Sequence, residues 1–148
     1  MRTYKSFDEF KIYADEIARR YYFTILKYNE DYSVDISRDV WLQYKDLKEF
    51  PIQFNIIDGT FRCFNNKLTS LEGSPRYVTG SFFISHNELT SLEGGPKYVG
   101  GNFSCDDNKL ISLKGAPEVI GYTWFIEEKY YSYPEYQKYL LVKKIEAL

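Results

Sequence analysis

The chain has 148 residues, a length that favours one compact domain with one hydrophobic core. General nucleic-acid binders and anionic-membrane binders carry an excess of basic residues. The formal net charge of -2 and the pI near 5.5 therefore argue against both classes of protein. The 15 Tyr and 11 Phe are more rings than so small a core can enclose, so we expect some of them at the surface, where they favour recognition.

The N-terminus, MRTYKSFDEF, lacks the apolar run of a secretory signal. No stretch of the chain approaches the roughly 18 consecutive apolar residues that a membrane-spanning helix needs. We therefore expect a cytoplasmic protein, located in the host cytoplasm if the chain is viral, with no membrane partner.

Residues 1–30 are predicted to form an N-terminal helical cap. Ser6 and Glu9 have the spacing of a capping box, which marks the start of a helix. Apolar residues then recur at helical spacing and predict one amphipathic helix from residue 7 to about residue 28. They are Phe10, Ala14, Ile17, Tyr21 and Ile25. We expect the apolar face of this helix to cover the start of the segment that follows.

A 21-residue repeat fills the centre of the chain. Segments that begin at Phe61, Phe82 and Phe103 match almost letter for letter, the first reading FRCFNNKLTSLEGSPRYVTGS and the second FFISHNELTSLEGGPKYVGGN. A weaker unit begins at Val40, and an unfinished one begins at Trp124. Such self-similarity predicts a solenoid over residues 31–126, in which each repeat forms one coil.

The first, third, eighth, eleventh and eighteenth positions of each coil are apolar. The first and third positions alternate as in a short strand, whose side chains at every second residue point to one face. One coil cannot bury its own apolar side, so its stability must come from stacking on its neighbours. The pattern therefore predicts an α/β solenoid with a parallel sheet, closed by a helix at each end.

Two polar or flexible positions are predicted to form the turns of each coil. The sixth position holds Asn66, Asn87 and Asn108. An Asn amide offers two donors and one acceptor, so a buried stack of them can satisfy backbone groups where the coil turns. The thirteenth position holds Gly73, Gly94 and Gly115, each two residues before a proline. This spacing predicts a turn with positive φ at the glycine.

The repeat pattern F-x-C-x-x-N-x-L-x-x-L resembles the leucine-rich-repeat signature in its short bacterial form. The phrase LTSLEGxPxxVxGxF, preceded by VDISRDVWL, resembles leucine-rich-repeat proteins commonly encoded by tailed bacteriophages. The resemblance covers about residues 32–126 and implies a horseshoe whose concave strand face binds a partner. Tyr122 departs from the pattern where earlier coils have Gly59, Gly80 and Gly101, so we expect the last turn to be bent or capped differently.

Residues 127–148 are predicted to form a C-terminal helical cap. Pro134 lies at a favoured first-turn position, an acidic residue follows it, and lysines lie near the end of the segment. We expect this helix to cover the last coil. The alternative, for either terminal segment, is an arm that itself contacts a partner.

The second, fourth and fifth positions of each coil are predicted to point outward and form the candidate partner-binding surface. Its N-terminal end carries an aromatic cluster around an arginine, a mixture that is enriched in binding hot spots. These residues are Trp41, Tyr44, Arg62, Phe64 and Phe83. Further along the same surface lie His86 and Phe125. The alternative is that a terminal helix or a second copy of the chain covers the aromatic side chains.

Four carboxylates are predicted at the other end of this surface: Asp106, Asp107, Glu127 and Glu128. They lie on adjacent coils, repel one another and would favour a cationic partner. The alternative is a solvated rim without a binding role.

The sequence gives little support for catalysis and predicts no cofactor and no metal. His86 is the only histidine, and the sequence places neither a nucleophile nor an orienting carboxylate beside it. Cys63 and Cys105 occupy the inward third position two coils apart, beyond disulfide distance, so we expect reduced core residues. The glycines recur with the coil and form no phosphate-binding loop.

The leading hypothesis is a non-catalytic protein–protein interaction module. Together with the resemblance, it predicts a phage accessory protein that binds or inhibits a host protein through its concave face. One alternative is a nucleic-acid-mimicking inhibitor of a host enzyme; another is a structural or assembly component of a virion. Direct nucleic-acid binding is not expected, whereas a homo-oligomer stays open.

Overall fold

In the computed structural model, which describes residues 1–126 and 129–148, the chain forms a parallel-strand β-solenoid of about four turns with an α-helix at each end. The helices are α1 (Phe7–Tyr21) and α2 (Tyr133–Glu146). The strands are β1 (Ile25–Tyr28), β2 (Ser33–Ile36), β3 (Val40–Trp41), β4 (Gln53–Ile57), β5 (Phe61–Arg62), β6 (Tyr77–Val78), β7 (Phe82–Phe83), β8 (Tyr98–Val99), β9 (Phe103–Ser104), β10 (Val119–Ile120), β11 (Thr123–Ile126) and β12 (Lys129–Ser132).

Two sheets run along the solenoid. The first sheet has β3, β5, β7, β9 and β11 in parallel, and β12 joins β11 in antiparallel orientation. The second sheet has β2, β4, β6, β8 and β10 in parallel, and β1 joins β2 in antiparallel orientation. The predicted parallel sheet corresponds to the first sheet. The second was not predicted because its repeated strands, such as Tyr77–Val78, place two apolar residues next to each other and show no alternation of apolar and polar positions.

The five predicted apolar positions form the core. The first-position side chains of successive coils are all buried, and their rings follow one another along the axis. The centroids of Phe61 and Phe82 are 5.4 Å apart and those of Phe82 and Phe103 are 5.8 Å apart, with nearly parallel rings in both pairs. Stacking of identical positions therefore builds the core, as the repeat predicts.

The asparagine ladder of the sixth position is confirmed. Asn87 Nδ2 donates to Cys63 O at 3.0 Å and to Ile84 O at 3.1 Å, and its Oδ1 accepts a hydrogen bond from Leu68 N at 3.0 Å. Asn66 and Asn108 make the corresponding bonds one coil before and one coil after. Each amide thus joins two adjacent coils at the turn that follows the first sheet.

A second polar ladder lies at position 21 of each coil and was not predicted. Asp39 Oδ1 accepts from Thr60 N at 2.8 Å, and Thr60 Oγ1 accepts from Ser81 N at 3.2 Å. Ser81 Oγ then accepts from Asn102 N at 3.0 Å. A short polar side chain at this position therefore receives the backbone N–H of the coil that follows it.

The glycine turns are confirmed. Gly73, Gly94 and Gly115 have φ of 87°, 85° and 86°. At the other turn, Tyr122 N donates to Gly101 O at 3.2 Å, as Gly101 N donates to Gly80 O at 2.8 Å. The last turn thus keeps the same backbone hydrogen bond, and the departure predicted at Tyr122 is not seen in the hydrogen bonding.

The N-terminal helix is shorter than predicted. Ser6 Oγ accepts a hydrogen bond from Glu9 N at 3.1 Å, which confirms the start, although the Glu9 carboxylate accepts from Lys5 N instead of completing the capping box. The helix ends at Tyr21 because Tyr22 has a left-handed conformation with φ of 59°. The aromatic and β-branched residues that follow favour an extended chain, and residues 25–28 form β1.

The two helices contact the first and last coils. On α1, Phe10, Ala14 and Ile17 are buried in the core. On α2, Tyr136 is buried, its hydroxyl donates to Pro117 O at 2.8 Å, and its ring centroid lies 3.8 Å from that of Trp124. The C-terminal segment contains β12 as well as the predicted helix. Within the described residues, neither helix has the length and apolar character needed to cross a membrane.

Candidate protein-binding surface

The outer surface of the first sheet, called the strand face below, carries the second, fourth and fifth positions of each coil. The first and third positions point into the core, so strand alternation directs the second position outward. Trp41 is 54% exposed, whereas Arg62, Phe83 and Phe125 are half-buried. The structure therefore places the predicted second-position residues on one surface.

Contacts within the chain hold the aromatic cluster at the N-terminal end of the strand face. The guanidinium carbon of Arg62 lies 4.7 Å from the centroid of the Trp41 ring, within cation–π distance. Arg62 Nη1 also donates to Asp39 Oδ2 at 2.8 Å. The rings of Tyr44 and Phe64 meet edge to face, with centroids 5.5 Å apart. Four of the five predicted residues therefore make defined contacts in pairs.

Asp39 is the charged partner of Arg62. The hydrogen bond from Thr60 N to Asp39, followed by the interaction with Arg62, lowers the pKa of the Asp39 carboxyl despite some desolvation. The carboxylate therefore stays ionised and fixes the guanidinium beside Trp41. Asp39 was absent from the predicted surface because it lies before the coil in which Trp41 occupies the second position.

The fifth position of the first four coils has a left-handed backbone. Tyr44, Asn65, His86 and Asp107 have φ of 57°, 53°, 53° and 51°. This conformation is uncommon for residues other than glycine and costs on the order of 1 kcal/mol or more at each position. Tyr44 is 70% exposed, and the side chains of His86 and Asp107 are also exposed. The repeated strain thus displays one column of side chains along the edge of the strand face.

His86 and Asp107 form a pair in this column, with His86 Nε2 3.3 Å from Asp107 Oδ2. The expectation that His86 has no carboxylate beside it is therefore wrong. Stacking brings the fifth positions of adjacent coils together, so the carboxylate of one coil lies beside the imidazole of the coil before it. In residues 1–126 and 129–148, no hydroxyl or thiol is hydrogen-bonded to the His86 imidazole.

The predicted acidic end is less charged at the surface than expected. Asp106 is buried, with 7% exposure, and the fourth positions Gln43 and Phe64 of other coils are half-buried. Asp107 is exposed but lies beside His86. Glu127 and Glu128 lie outside the described residues. The structure therefore does not group four exposed carboxylates.

Within the described part of the chain, no three His, Cys, Asp or Glu side chains are close enough to hold a metal ion. Cys63 and Cys105 are buried and free, as predicted. Burial raises the pKa of the Cys63 thiol to about 12, so this sulfur stays protonated.

A second apolar stripe lies on the outer face of the second sheet and was not predicted. It consists of the seventeenth-position residues Ile56, Tyr77 and Val119, which are exposed, and Tyr98, which is half-buried. The Tyr77 and Tyr98 rings stack with centroids 4.3 Å apart and planes 9° apart. Because the ring faces are turned to each other, the stripe stabilises the stack of coils. The stripe could have been predicted from the sequence, because position 17 is apolar in four coils.

Gln43 also lies on the strand face, at the fourth position of the first coil. Its Oε1 is buried, and no donor within the described chain reaches it.

No family model, no curated protein and no solved structure matches the chain. The interpretation of the strand face therefore depends on its own geometry.

Proposed function

We propose that the chain is a non-catalytic protein-binding module of the short leucine-rich-repeat type, and that the N-terminal end of the strand face binds a partner protein. The observation that carries the proposal is the exposed Trp41, whose ring packs against the Arg62 guanidinium while Asp39 fixes that guanidinium from another side. Trp, Tyr and Arg are the residue types that contribute most to protein interfaces.

The geometry favours binding because the side chains are already held in place. Ordering a flexible side chain at an interface costs about 0.5 to 1.5 kcal/mol, which reduces affinity. Tyr44 lies against Phe64, and Arg62 lies between Trp41 and Asp39, so these residues lose little further freedom when a partner arrives. A pre-ordered aromatic surface at the end of a rigid solenoid is well suited to recognition.

The resemblance of the repeats to phage-encoded leucine-rich repeats supports a host protein as the partner. The two alternatives receive less support. Burial of Asp106 reduces the exposed negative charge that a nucleic-acid mimic needs. Helices at both ends of the solenoid reduce the bare coil surface that assembly into a virion would use.

The proposal is tested by affinity capture from a bacterial host lysate with the Trp41→Ala/Phe83→Ala variant. The matched control is Ile111→Ala/Tyr122→Ala, which removes two side chains that are 88% and 70% exposed outside the strand face. Circular dichroism verifies that all three proteins are folded. We expect one host protein to be retained by the wild type and the control and lost by the strand-face variant. Equal retention by all three, or no retention at all, would contradict the proposal.

Salt dependence provides an independent check. Exposed charge pairs weaken as ionic strength rises, because the Debye length falls from about 10 Å at 0.1 M salt to about 3 Å at 1 M, whereas aromatic contacts do not. We expect the retained protein to stay bound across this range. Release at high salt would instead indicate binding through charged residues elsewhere on the chain.

A further inference from the structure

The column of fifth-position side chains continues from the aromatic cluster toward the C-terminal coils. Tyr44, whose ring packs against Phe64, begins the column. His86 occupies the same position two coils further on, about 10 Å away along the solenoid axis at the usual strand spacing. One open depression joins these positions; its lining residues are Tyr44, Asp46, Asn65, Asn66 and His86. His86 is therefore continuous with the proposed binding surface.

The His86 imidazole has a partner at one of its two nitrogens. Its Nε2 lies 3.3 Å from Asp107 Oδ2, and its side chain is 54% exposed. In the part of the chain that the structure describes, no hydrogen bond or ion pair involves Nδ1. This nitrogen is therefore left for a group outside the chain.

Asp107 determines which ring nitrogen carries the proton of the neutral imidazole. A carboxylate only accepts hydrogen bonds, so it attracts an N–H and repels the lone pair of a bare nitrogen. The proton therefore lies on Nε2, beside Asp107 Oδ2, and Nδ1 keeps its lone pair. Asp107 thus presents His86 to an outside group as a hydrogen-bond acceptor.

We propose that His86 Nδ1 accepts a hydrogen bond from the partner protein, and that Asp107 is the positioning residue that keeps the proton on Nε2. This inference rests on the proposed protein-binding function and specifies the surface of the partner. The partner presents an apolar group to the aromatic cluster and an N–H or O–H donor about 10 Å further along the solenoid axis. The acceptor contributes specificity, because a partner without the donor leaves it unpaired.

The first test observes the imidazole in the free protein. His86 is the only histidine, so its signals are unambiguous in untagged protein. Nitrogen chemical shifts distinguish a protonated ring nitrogen from a bare one, and a measurement at about pH 8 keeps ordinary imidazoles neutral. We expect the Nε2–H form in the wild type and more of the Nδ1–H form in Asp107→Asn, because an amide donates as well as accepts. The Nδ1–H form in the wild type, or identical shifts in both proteins, would overturn the role of Asp107.

The second test measures affinity at about pH 8 by calorimetry. The probe is the host protein that the wild type retains in the capture experiment, in purified form. His86→Gly removes the imidazole at a backbone that suits glycine, and we expect about tenfold lower affinity. His86→Asn keeps an acceptor oxygen near the position of Nδ1, so its affinity should stay within about threefold of the wild type. Equal affinity of His86→Gly and the wild type would overturn the inference.

A double variant tests whether Asp107 acts through His86. Asp107→Asn alone should lower the affinity about threefold, whereas in the His86→Gly background it should have no further effect. A loss that persists in that background would mean that Asp107 contacts the partner itself, which contradicts its role as a positioning residue. The matched control Asp58→Asn changes an exposed carboxylate beside the second sheet and should leave the affinity unchanged.

Three outcomes separate this inference from the proposed function. If Trp41→Ala/Phe83→Ala loses the host protein while His86→Gly binds it as the wild type does, the inference fails and the proposed function stands. If the wild type is a dimer by sedimentation and His86→Gly is a monomer, the acceptor serves a second copy of the chain and the inference fails. If the wild type retains no host protein, the proposed function is contradicted, and the inference falls with it.

Discussion

At the residue scale, single buried amides replace regular backbone pairing at the turns. Asn87 is buried and joins three backbone groups from two coils. A buried backbone group that loses its only partner costs about 1 to 3 kcal/mol. The sixth-position ladder was predictable because Asn recurs there unchanged. The ladder at position 21 was not recognised because Asp39, Thr60 and Ser81 differ in type, although each has a short side chain with an oxygen that accepts a hydrogen bond.

Asn87→Leu keeps the size of the side chain and removes its polar atoms. Leu68 N then loses its partner inside the core, whereas Cys63 O and Ile84 O keep the amides of Asn66 and Asn108. We expect the free energy of unfolding, measured by urea titration, to fall by about 3 kcal/mol. Asn108→Leu is the matched control: this residue is only half-buried, so water can reach the freed groups and we expect about half that loss. Equal losses would show that burial does not determine the cost.

Asp39 predicts a pH dependence. Its pKa in the folded chain is lowered by the hydrogen bond from Thr60 N and by Arg62, so its stabilising contribution is present above the unfolded pKa of about 3.9 and is lost as the pH falls through the folded pKa. We expect the difference in thermal midpoint between the wild type and Asp39→Asn to be largest near pH 6 and to shrink below about pH 4. Glu49→Gln, an exposed side chain without an ion pair in the described chain, is the control. A constant difference over this range would contradict the assignment.

At the element scale, like positions in successive coils determine register. Asp46 Oδ1 lies 2.9 Å from Lys67 Nζ, and Glu88 Oε2 lies 3.3 Å from Lys109 Nζ, so charge alternates at the seventh position. A shift of one coil by a residue would break these pairs and expose the apolar ladders. The 21-residue period therefore made the stacking predictable. The exact extent of α1 was not predictable, because Ile25 fits both the helical period and the strand that it forms.

The glycine turns give a graded prediction. A Cβ at Gly115 would lie 2.3 Å from Glu93 N and Leu92 O, which are backbone atoms, whereas at Gly73 the nearest atom is the flexible Met1 Cε at 3.0 Å. Both glycines have positive φ. We expect Gly73→Ala to lower the free energy of unfolding by about 1 kcal/mol and Gly115→Ala by about 3 kcal/mol. The cost at Gly115 is larger because backbone atoms of the preceding coil must move to make room for the Cβ. Urea titration measures both, and the reverse order would contradict the packing described.

At the scale of the whole molecule, each coil is stabilised by stacking on its neighbours. The first and last coils lack a neighbouring coil on one side, and the helices cover that side. Helices at the two ends were predicted from capping residues and periodicity. The two short antiparallel strands beside them, β1 and β12, were not predicted, because their pairing depends on the coil that they meet and not on their own pattern. Likewise, the burial of Asp106 could not be predicted by counting positions along the repeat, because it depends on the three-dimensional path of the coil.

Tyr136→Ala tests the C-terminal cap. Tyr136 packs against Trp124, and its hydroxyl donates to Pro117 O. We expect the free energy of unfolding to fall by about 3 kcal/mol and the Trp124 emission, recorded in a Trp41→Phe background, to shift to longer wavelength. Tyr136→Phe keeps the ring and should cost about 1 kcal/mol with no spectral shift. An unchanged spectrum in Tyr136→Ala would contradict a capping role for α2.

The antiparallel strands lie at opposite ends of different sheets, β1 beginning the second sheet and β12 ending the first. If two molecules stacked end to end in register, each sheet would meet its neighbour through one strand that runs against the repeat. The parallel stack would therefore stop at every junction, and the cap helices would separate the two cores. The antiparallel strands β1 and β12 thus place an interruption of the parallel repeat at each end of the molecule.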